Sequence, residues 1–364
     1  MLNNSYYKLK VEKKLNIAYF GGSITAGAGA DGKLNSWAYR TTVWFKTNFP
    51  DAVIKENNAA IGGTGTIFGV YRVIEDLNLK NDAEKPDLVF IEFAINDMID
   101  GTQPENSKIY LETIIRIVYD YVPDADIMLL FTTDQSQMAQ NFEMRKAHKV
   151  VADAYKLPTL AIGELLINDL LNEGNGTYTQ DLWNKYFADP VHPNKNGHAK
   201  YAKYITEFFD YIFSTNTFIS DRISDSYKPL PMFGKVLQNP HTVNLMGQTA
   251  PYGFVIDQDG AIISNDGTNN SFMIIFNGTG LKIWFRGEEN GGVLETKMDN
   301  KPIGEIPLHS SPNEKIKTVV SNISDDFHKI TFTLRASEKG TYMKIERFCI
   351  TGSDVNSKVE LVYN

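Results

Sequence analysis

The sequence predicts an α/β domain built on a parallel sheet with helices on both faces, followed by an all-β domain of the sandwich or jelly-roll type. Three observations support this reading. Between about residues 15 and 213, short apolar runs alternate with stretches of helical period. From about 241 to 364 only short alternating runs remain, cut by Gly, Asn and Asp turns. The stretch between them, "STNTFISDRISDSYKPLPMFGKVLQNPH", is rich in Ser, Asn, Asp and Pro and reads as a connector. A chain of 364 residues also exceeds one ordinary core. The expected division is therefore 1–215, a linker over 216–240, and 241–364.

Four runs read as strands of the first sheet: "NIAYFG", "AVIKENNA", "DLVFIEFA" and "DIMLLFTT". Helices are expected over 37–48, 66–77, 107–121, 139–155 and 195–213. Ile205, Phe208, Phe209 and Ile212 mark the buried face of the last one. Ser36 and Asn194 stand where N-caps belong. In the second domain "SFMIIFNGTGLKIWFRG", "GGVLETKMDNKPIGEI" and "HKITFTLRASEKGTYMKIERFCITG" alternate with period two and offer no convincing helix.

Composition narrows the function. Hydrophobic residues make up 42% and charged residues 22%, the balance of a soluble globular protein. The net charge is −8 and no dense Lys/Arg stripe occurs, so a nucleic-acid partner lacks its electrostatic footprint. The single cysteine, Cys349, rules out an internal disulfide and a cysteine metal cluster, and reads as a buried strand thiol. No apolar run has signal-peptide or membrane-span length. The expectation is a cytoplasmic protein without a membrane partner, unless a signal has been trimmed. Strand edges in the second domain are compatible with a homodimer.

The chemistry begins at "YFGGSITAGAGA". Ser23 follows the first strand on a glycine-flanked turn, and doubly wound sheets bind ligands beyond the carboxyl ends of their strands. A serine nucleophile needs a base, and the base needs a group to fix its tautomer. "FADPVHPNKNGH" supplies both in Asp189 and His192, three residues apart in a loop stiffened by Pro190 and Pro193. The other histidines compete poorly: His148 lies within a helix, His198 reads as a helix-surface or capping residue, and His241, His309 and His328 fall in the second domain. Acyl transfer also needs donors for an oxyanion. Gly62 and Gly63 in "NNAAIGGTGT" would let a backbone N–H approach closely, and Asn96 in "FAIND" offers an amide.

Other signals are weaker. "GGTGTIFG" lacks the spacing of a dinucleotide loop. Asp97 reads as a cap of its own following segment and Asp100 as solvated, while Glu92, in a strand that should be buried, requires a partner. No metal or cofactor is expected.

The four blocks, in this order, resemble the SGNH (GDSL-like) hydrolases. The resemblance covers about 15 to 213 and implies a three-layer, flavodoxin-like α/β/α domain. By position, Ser23 matches the nucleophile and Asp189 with His192 the rest of the triad. Gly63 and Asn96 match the oxyanion donors, with the Ser23 N–H as the third. Gly22 replaces the usual Asp of GDS, and Ala94 the Gly of GxND. The implied chemistry is that of a serine esterase needing neither metal nor cofactor.

Substrate choice stays open at this level. An all-β module behind such a domain resembles the two-domain carbohydrate acetylesterases, which implies removal of O-acetyl groups from mannan- or xylan-type oligosaccharides. The alternatives are a short-chain acyl esterase, lysophospholipase or thioesterase, and a carbohydrate-binding protein without activity. Four aromatics are candidate substrate contacts. Trp284 stands in "LKIWFRG" between Lys282 and Arg286, opposite Leu281, Ile283 and Phe285, and is either a sugar platform or a packing residue. Trp37 opens the helix that also carries Trp44, and Trp183 and Tyr186 precede Asp189.

Overall fold

A computed structural model describes residues 2–136, 142–215, 233, 237–264, 270–310, 314–354 and 357–362. The chain divides into two compact units, Met1–Val236 and Leu237–Asn364. The expected linker over 216–240 falls largely outside the described residues, as do 139–141 of the expected helix 139–155.

In chain order the first unit runs α1 (Asn3–Tyr7), β1 (Lys14–Gly21), α2 (Ser23–Ala26), α3 (Trp37–Asn48), β2 (Val53–Asn58), α4 (Thr66–Asp76), β3 (Leu88–Glu92), α5 (Ala94–Ile99) and α6 (Pro104–Tyr121). It continues with β4 (Asp126–Leu130), α7 (Glu143–Ala154), β5 (Thr159–Leu160), α8 (Ile162–Glu173), α9 (Gln180–Tyr186) and α10 (Lys195–Thr215). The five strands pair in parallel in the order β2-β1-β3-β4-β5. This is the flavodoxin-like order, whose connections diverge between β1 and β3 and leave a crevice beyond their carboxyl ends. Strands β3 and β4 are buried throughout, which explains their unbroken apolar sequences, whereas β2 at the edge alternates and is half exposed.

Helix α3 starts where its cap predicts, the Ser36 hydroxyl accepting the Tyr39 N–H. Asn194 likewise accepts the N–H groups of Asn196 and Gly197 at the start of α10. The apolar stripe of α10 packs on α3 and the sheet through a ring cluster. Phe209 is fully buried, with ring centroids 4.9 Å from Phe45, 5.4 Å from Phe213 and 6.0 Å from Phe90.

The second unit contains β6 (His241–Val243), β7 (Phe254–Ile256), β8 (Ile262–Ser264), β9 (Ser271–Arg286), β10 (Val293–Met298), β11 (Lys301–Pro307), β12 (Glu314–Arg335), β13 (Lys344–Thr351) and β14 (Val359–Val362). All pair antiparallel, and no helix occurs among the described residues of this unit. Strand β9 follows β12 along one edge and changes partner along the other: Met273–Phe276 pair with β14, and Gly280–Phe285 with β13. Across that change the core-facing side chains shift from Phe272, Ile274 and Phe276 to Leu281, Ile283 and Phe285, a change of parity that one face of an uninterrupted strand could not produce. Gly278 lies at the crossing, where a Cβ would come within 2.5 Å of the Thr351 carbonyl oxygen.

Truncating the centre of the first unit's ring cluster should be costly. Phe209→Ala is expected to destabilise this unit by about 3–5 kcal/mol, since it removes a fully buried ring whose neighbours cannot collapse together. Denaturant unfolding would measure this, and a loss below about 1 kcal/mol would mean that α10 is not anchored there.

Candidate active site

The turn that carries Ser23 is shaped by what its neighbours leave no room for. A Cβ on Gly21 would lie 2.5 Å from Thr25 Oγ1 and 2.6 Å from the Glu92 carbonyl oxygen, and one on Gly22 would lie 2.0 Å from Asn96 Oδ1. The chain can leave β1 and enter α2 here only without side chains. Ser23 is the first residue of α2 and stays partly exposed, so its backbone N–H falls outside the helical ladder. The loop after β2 approaches from the other side: a Cβ on Gly62 would meet Ser23 Cβ at 3.6 Å, and Gly63 adopts φ +72°, a left-handed conformation suited to glycine.

His192 closes the arrangement. Its Nε2 lies 2.8 Å from Ser23 Oγ and its Nδ1 2.7 Å from Asp189 Oδ2. A carboxylate can only accept, so Nδ1 carries the proton toward Asp189 and Nε2 is free to accept the serine hydroxyl. Asp189 Oδ1 also accepts the N–H groups of Val191 and His192, each at 2.7 Å. Partial burial would raise its pKa, but these N–H groups and the His192 ring together hold the Asp189 carboxyl below the usual range. It therefore stays ionised, and its half-exposed position favours the charged form further.

The Asp189–His192 loop is fastened along its length. Trp183 Nε1 donates to the Asp189 carbonyl at 3.0 Å, the Gln135 N–H to Pro190 O at 2.7 Å, and the Asn194 N–H to Tyr186 O at 2.9 Å. Gly29, at φ +81°, lets the segment after α2 come up against this loop, since a Cβ there would sit 2.3 Å from Pro193 O. His198 ties the same segment to α10. Its Nε2 donates to Ala28 O at 2.9 Å, and its Nδ1 accepts the Trp37 N–H at 3.3 Å. Burial pulls its pKa down to about 4, so the ring is neutral.

Asn96 sits at the start of α5, nearly buried, with its amide against the Gly22 backbone. The next residue, Asp97, is fully buried and reaches across to α4, where Oδ1 accepts the Thr66 N–H at 2.6 Å and Oδ2 the Thr66 hydroxyl at 2.8 Å. Ser107 and His148 Nε2 complete its shell. Arg72 of α4 binds both loops: its guanidinium donates to Gly21 O at 3.0 Å, Thr64 Oγ1 at 3.1 Å and Ala59 O at 2.5 Å, and pairs with Asp76 at 2.7 Å. Glu92 has the partners that a buried carboxylate requires, in the hydroxyls of Thr25 at 2.7 Å and Thr132 at 2.8 Å.

Several expectations need correction. Trp37, Trp183 and Tyr186 are buried and not available to a substrate. Trp37 packs edge-on against Tyr19 in the core. Trp183 stacks on Phe187 at 3.7 Å and holds the Asp189 carbonyl, and the Tyr186 hydroxyl binds Glu173. Trp284 is also buried, its indole N–H donating to Glu314 at 2.5 Å, so it is no open sugar platform. His198 is fully buried rather than on a helix surface, and Asp97 caps α4 rather than its own following segment. Arg72 was missed entirely. Its one visible signal was a cation in the otherwise apolar stretch "TIFGVYRVI". Among the described residues no group of His, Cys, Asp and Glu is arranged to hold a metal ion, and no helix is long and apolar enough to cross a membrane.

Comparison with known proteins bears on this geometry. The sequence profile of the GDSL-like lipase/acylhydrolase family matches residues 19–200. No curated protein matches the chain in sequence. Among solved structures, a two-domain esterase active on acetylated mannans, co-crystallised with mannopentaose, is 23% identical and covers 97% of both chains with a TM-score of 0.78. Another structure of a two-domain esterase active on acetylated mannans is 22% identical, covers 97% of this chain and 96% of its own, and gives 0.80. At these identities the likeness establishes the fold of both units.

Two outcomes follow from the site's packing. Gly22→Ala is expected to push the Asn96 amide aside and lower kcat for an activated ester by roughly 10-fold or more while the protein stays folded, since small misplacements of reacting groups cost rate steeply. A variant with wild-type kcat would remove Asn96 from the site. The buried neutral His198 should also make stability fall with pH. Between about 6.5, the ordinary histidine value, and about 4, the unfolded chain binds a proton that the folded ring refuses, costing at most about 3 kcal/mol. The stability gap between wild type and His198→Asn should narrow as pH falls through that window, and a gap independent of pH would refute the assignment.

Proposed function

The chain belongs to the GDSL-like lipase/acylhydrolase family, and we propose that it is a serine esterase that removes O-acetyl groups from mannan-type oligosaccharides through Ser23, His192 and Asp189. The observation that carries the reading is the unbroken relay from Asp189 through His192 to Ser23, at 2.7 and 2.8 Å, beyond the carboxyl ends of β1 and β3.

In this mechanism His192 Nε2 takes the proton of the Ser23 hydroxyl as Oγ attacks the ester carbonyl, and Asp189 stabilises the imidazolium that forms. The tetrahedral oxyanion is met by the backbone N–H groups of Ser23 and Gly63 and the amide of Asn96. His192 then protonates the departing sugar hydroxyl, and a water activated by the same ring releases acetate from Ser23. Each half-reaction uses one proton shuttle, so no metal or cofactor enters. The choice of a sugar acetate is supported by the two-unit architecture shared along nearly the whole chain with an esterase active on acetylated mannans.

Acetate release from acetylated manno- and xylo-oligosaccharides, read by mass spectrometry, tests this. Wild type should deacetylate the manno-oligosaccharides, Ser23→Ala should release none, and Asp189→Asn should lose roughly 10³- to 10⁴-fold in kcat. Release from xylo-oligosaccharides alone would change the polymer. Activity only on longer acyl nitrophenyl esters would move the assignment to a lipid or thioester hydrolase.

A further inference from the structure

Glu92 is a buried carboxyl bonded to the Ser23 turn that the mechanism does not use. It ends β3 directly beside Gly21 of β1 and is buried. Oε2 accepts the Thr25 hydroxyl at 2.7 Å, Oε1 accepts the Thr132 hydroxyl at 2.8 Å, and the Gly22 N–H is a further donor to the carboxylate. Gly22 and Thr25 flank Ser23 on both sides, and Thr132 follows β4, so one side chain joins the nucleophile turn to the ends of two neighbouring strands. We propose that Glu92 is a positioning residue, whose carboxylate holds the Ser23 turn in reactive geometry and makes hydrolysis depend on its ionisation. The proposal rests on the reading of Ser23 as nucleophile.

The groups around Glu92 make it titratable in the working range. Burial pushes its pKa up, the hydroxyls of Thr25 and Thr132 and the Gly22 N–H pull it back, and Asp97 of α5 repels the charge, leaving it at about 7. Tyr201 of α10 faces it as a neutral phenol, and Arg72 of α4 directs its guanidinium to Gly21 O rather than to the carboxylate. The ionised carboxylate can accept from all three donors. Protonation turns one carboxyl oxygen into a donor, so the threonine hydroxyl facing it must reverse from donor to acceptor and lose the acceptor for its own proton. The turn is therefore held best above about 7, and the hold loosens as pH falls.

The test is the dependence of log kcat on pH for hydrolysis of 4-nitrophenyl acetate by the full chain between about pH 5 and 9, with thermal melts confirming a folded protein. Wild type should show an acid limb steeper than one proton, because Glu92 ionises in addition to the base that the reaction requires. Glu92→Gln, which cannot ionise, should reduce that limb to one proton and lower the plateau kcat by roughly 10-fold, with KM changed less than about 2-fold. Thr132→Val removes one donor to the charged form and should move the upper apparent pKa upward, which covers the case in which Glu92→Gln fails to fold. A Glu92→Gln profile with wild-type slope and kcat, or an unshifted limb in folded Thr132→Val, overturns the proposal. Ser23→Ala in the same assay separates the two readings: if it keeps activity, the nucleophile assignment fails whatever Glu92 does.

Discussion

Pairing of Gly21 with Glu92 brings the ends of β1 and β3 side by side, and the chain leaving β1 must turn inside a space already filled by Thr25, the Glu92 backbone and the Asn96 amide. That constraint orders the rest of the site. Two residues without side chains are required before Ser23, which stays partly exposed with its hydroxyl against His192. Because β1 and β3 are the strands between which the sheet reverses its winding, the space above them is open to solvent and the loops from β2 and β3 converge there. The departure from the family's GDS to GGS becomes intelligible at this point. A side chain at residue 22 would occupy the position of Asn96 Oδ1, so a glycine there and a close-packed Asn96 belong together.

The loops around Ser23 carry few apolar anchors, and their geometry is held by buried polar groups reaching out of the helices behind them. Arg72 and Asp97 do most of this. One bonds the carbonyls of Gly21 and Ala59, and the other the N–H that starts α4, so that α4 is fixed to both the nucleophile turn and the Asn96 loop. Buried ions are expensive unless every lone pair and proton is used. Asp97, with Thr66, Ser107 and His148 around it, comes close to full use. Such a network adds less to stability than an apolar core of equal volume, but it fixes directions, and a hydroxyl, an imidazole and an amide that must converge on one atom need directions more than they need burial.

What could be read from the sequence divides along the same line. Ser23, Asp189 and His192 were legible because glycine and proline write their turns locally, and Asn194 and Ser36 because a cap is decided within three residues. The parallel sheet was legible from its buried strands. The aromatic candidates were misread because residue type gives no information about which way a ring points: Trp183 and Tyr186 stand next to the site in sequence yet serve it from beneath. Arg72, Asp97 and His198 act through contacts that include partners 51, 31 and 170 residues distant, which no local pattern encodes. Helices α8 and α9 were not anticipated, although in α8 Ile162, Leu166 and Leu170 are buried at helical spacing.

Asp189 shows how exposure and acidity can be reconciled. A carboxylate deep in a protein interacts strongly with an imidazolium because the dielectric is low, but it pays in desolvation and leaves little room beside the ring. Here the carboxylate is half exposed, which favours its charge, and two backbone N–H groups from its own loop, with the His192 ring, keep it oriented in place of burial. The electrostatic gain per interaction is smaller in this wetter setting, but the histidine remains reachable from solvent on the side where a leaving alcohol must collect its proton. Under the proposed sugar-acetate reading the leaving group is one hydroxyl of an oligosaccharide, and access beside the His192 ring then matters as much as the field behind it, which a shallow, hydrogen-bonded loop provides together.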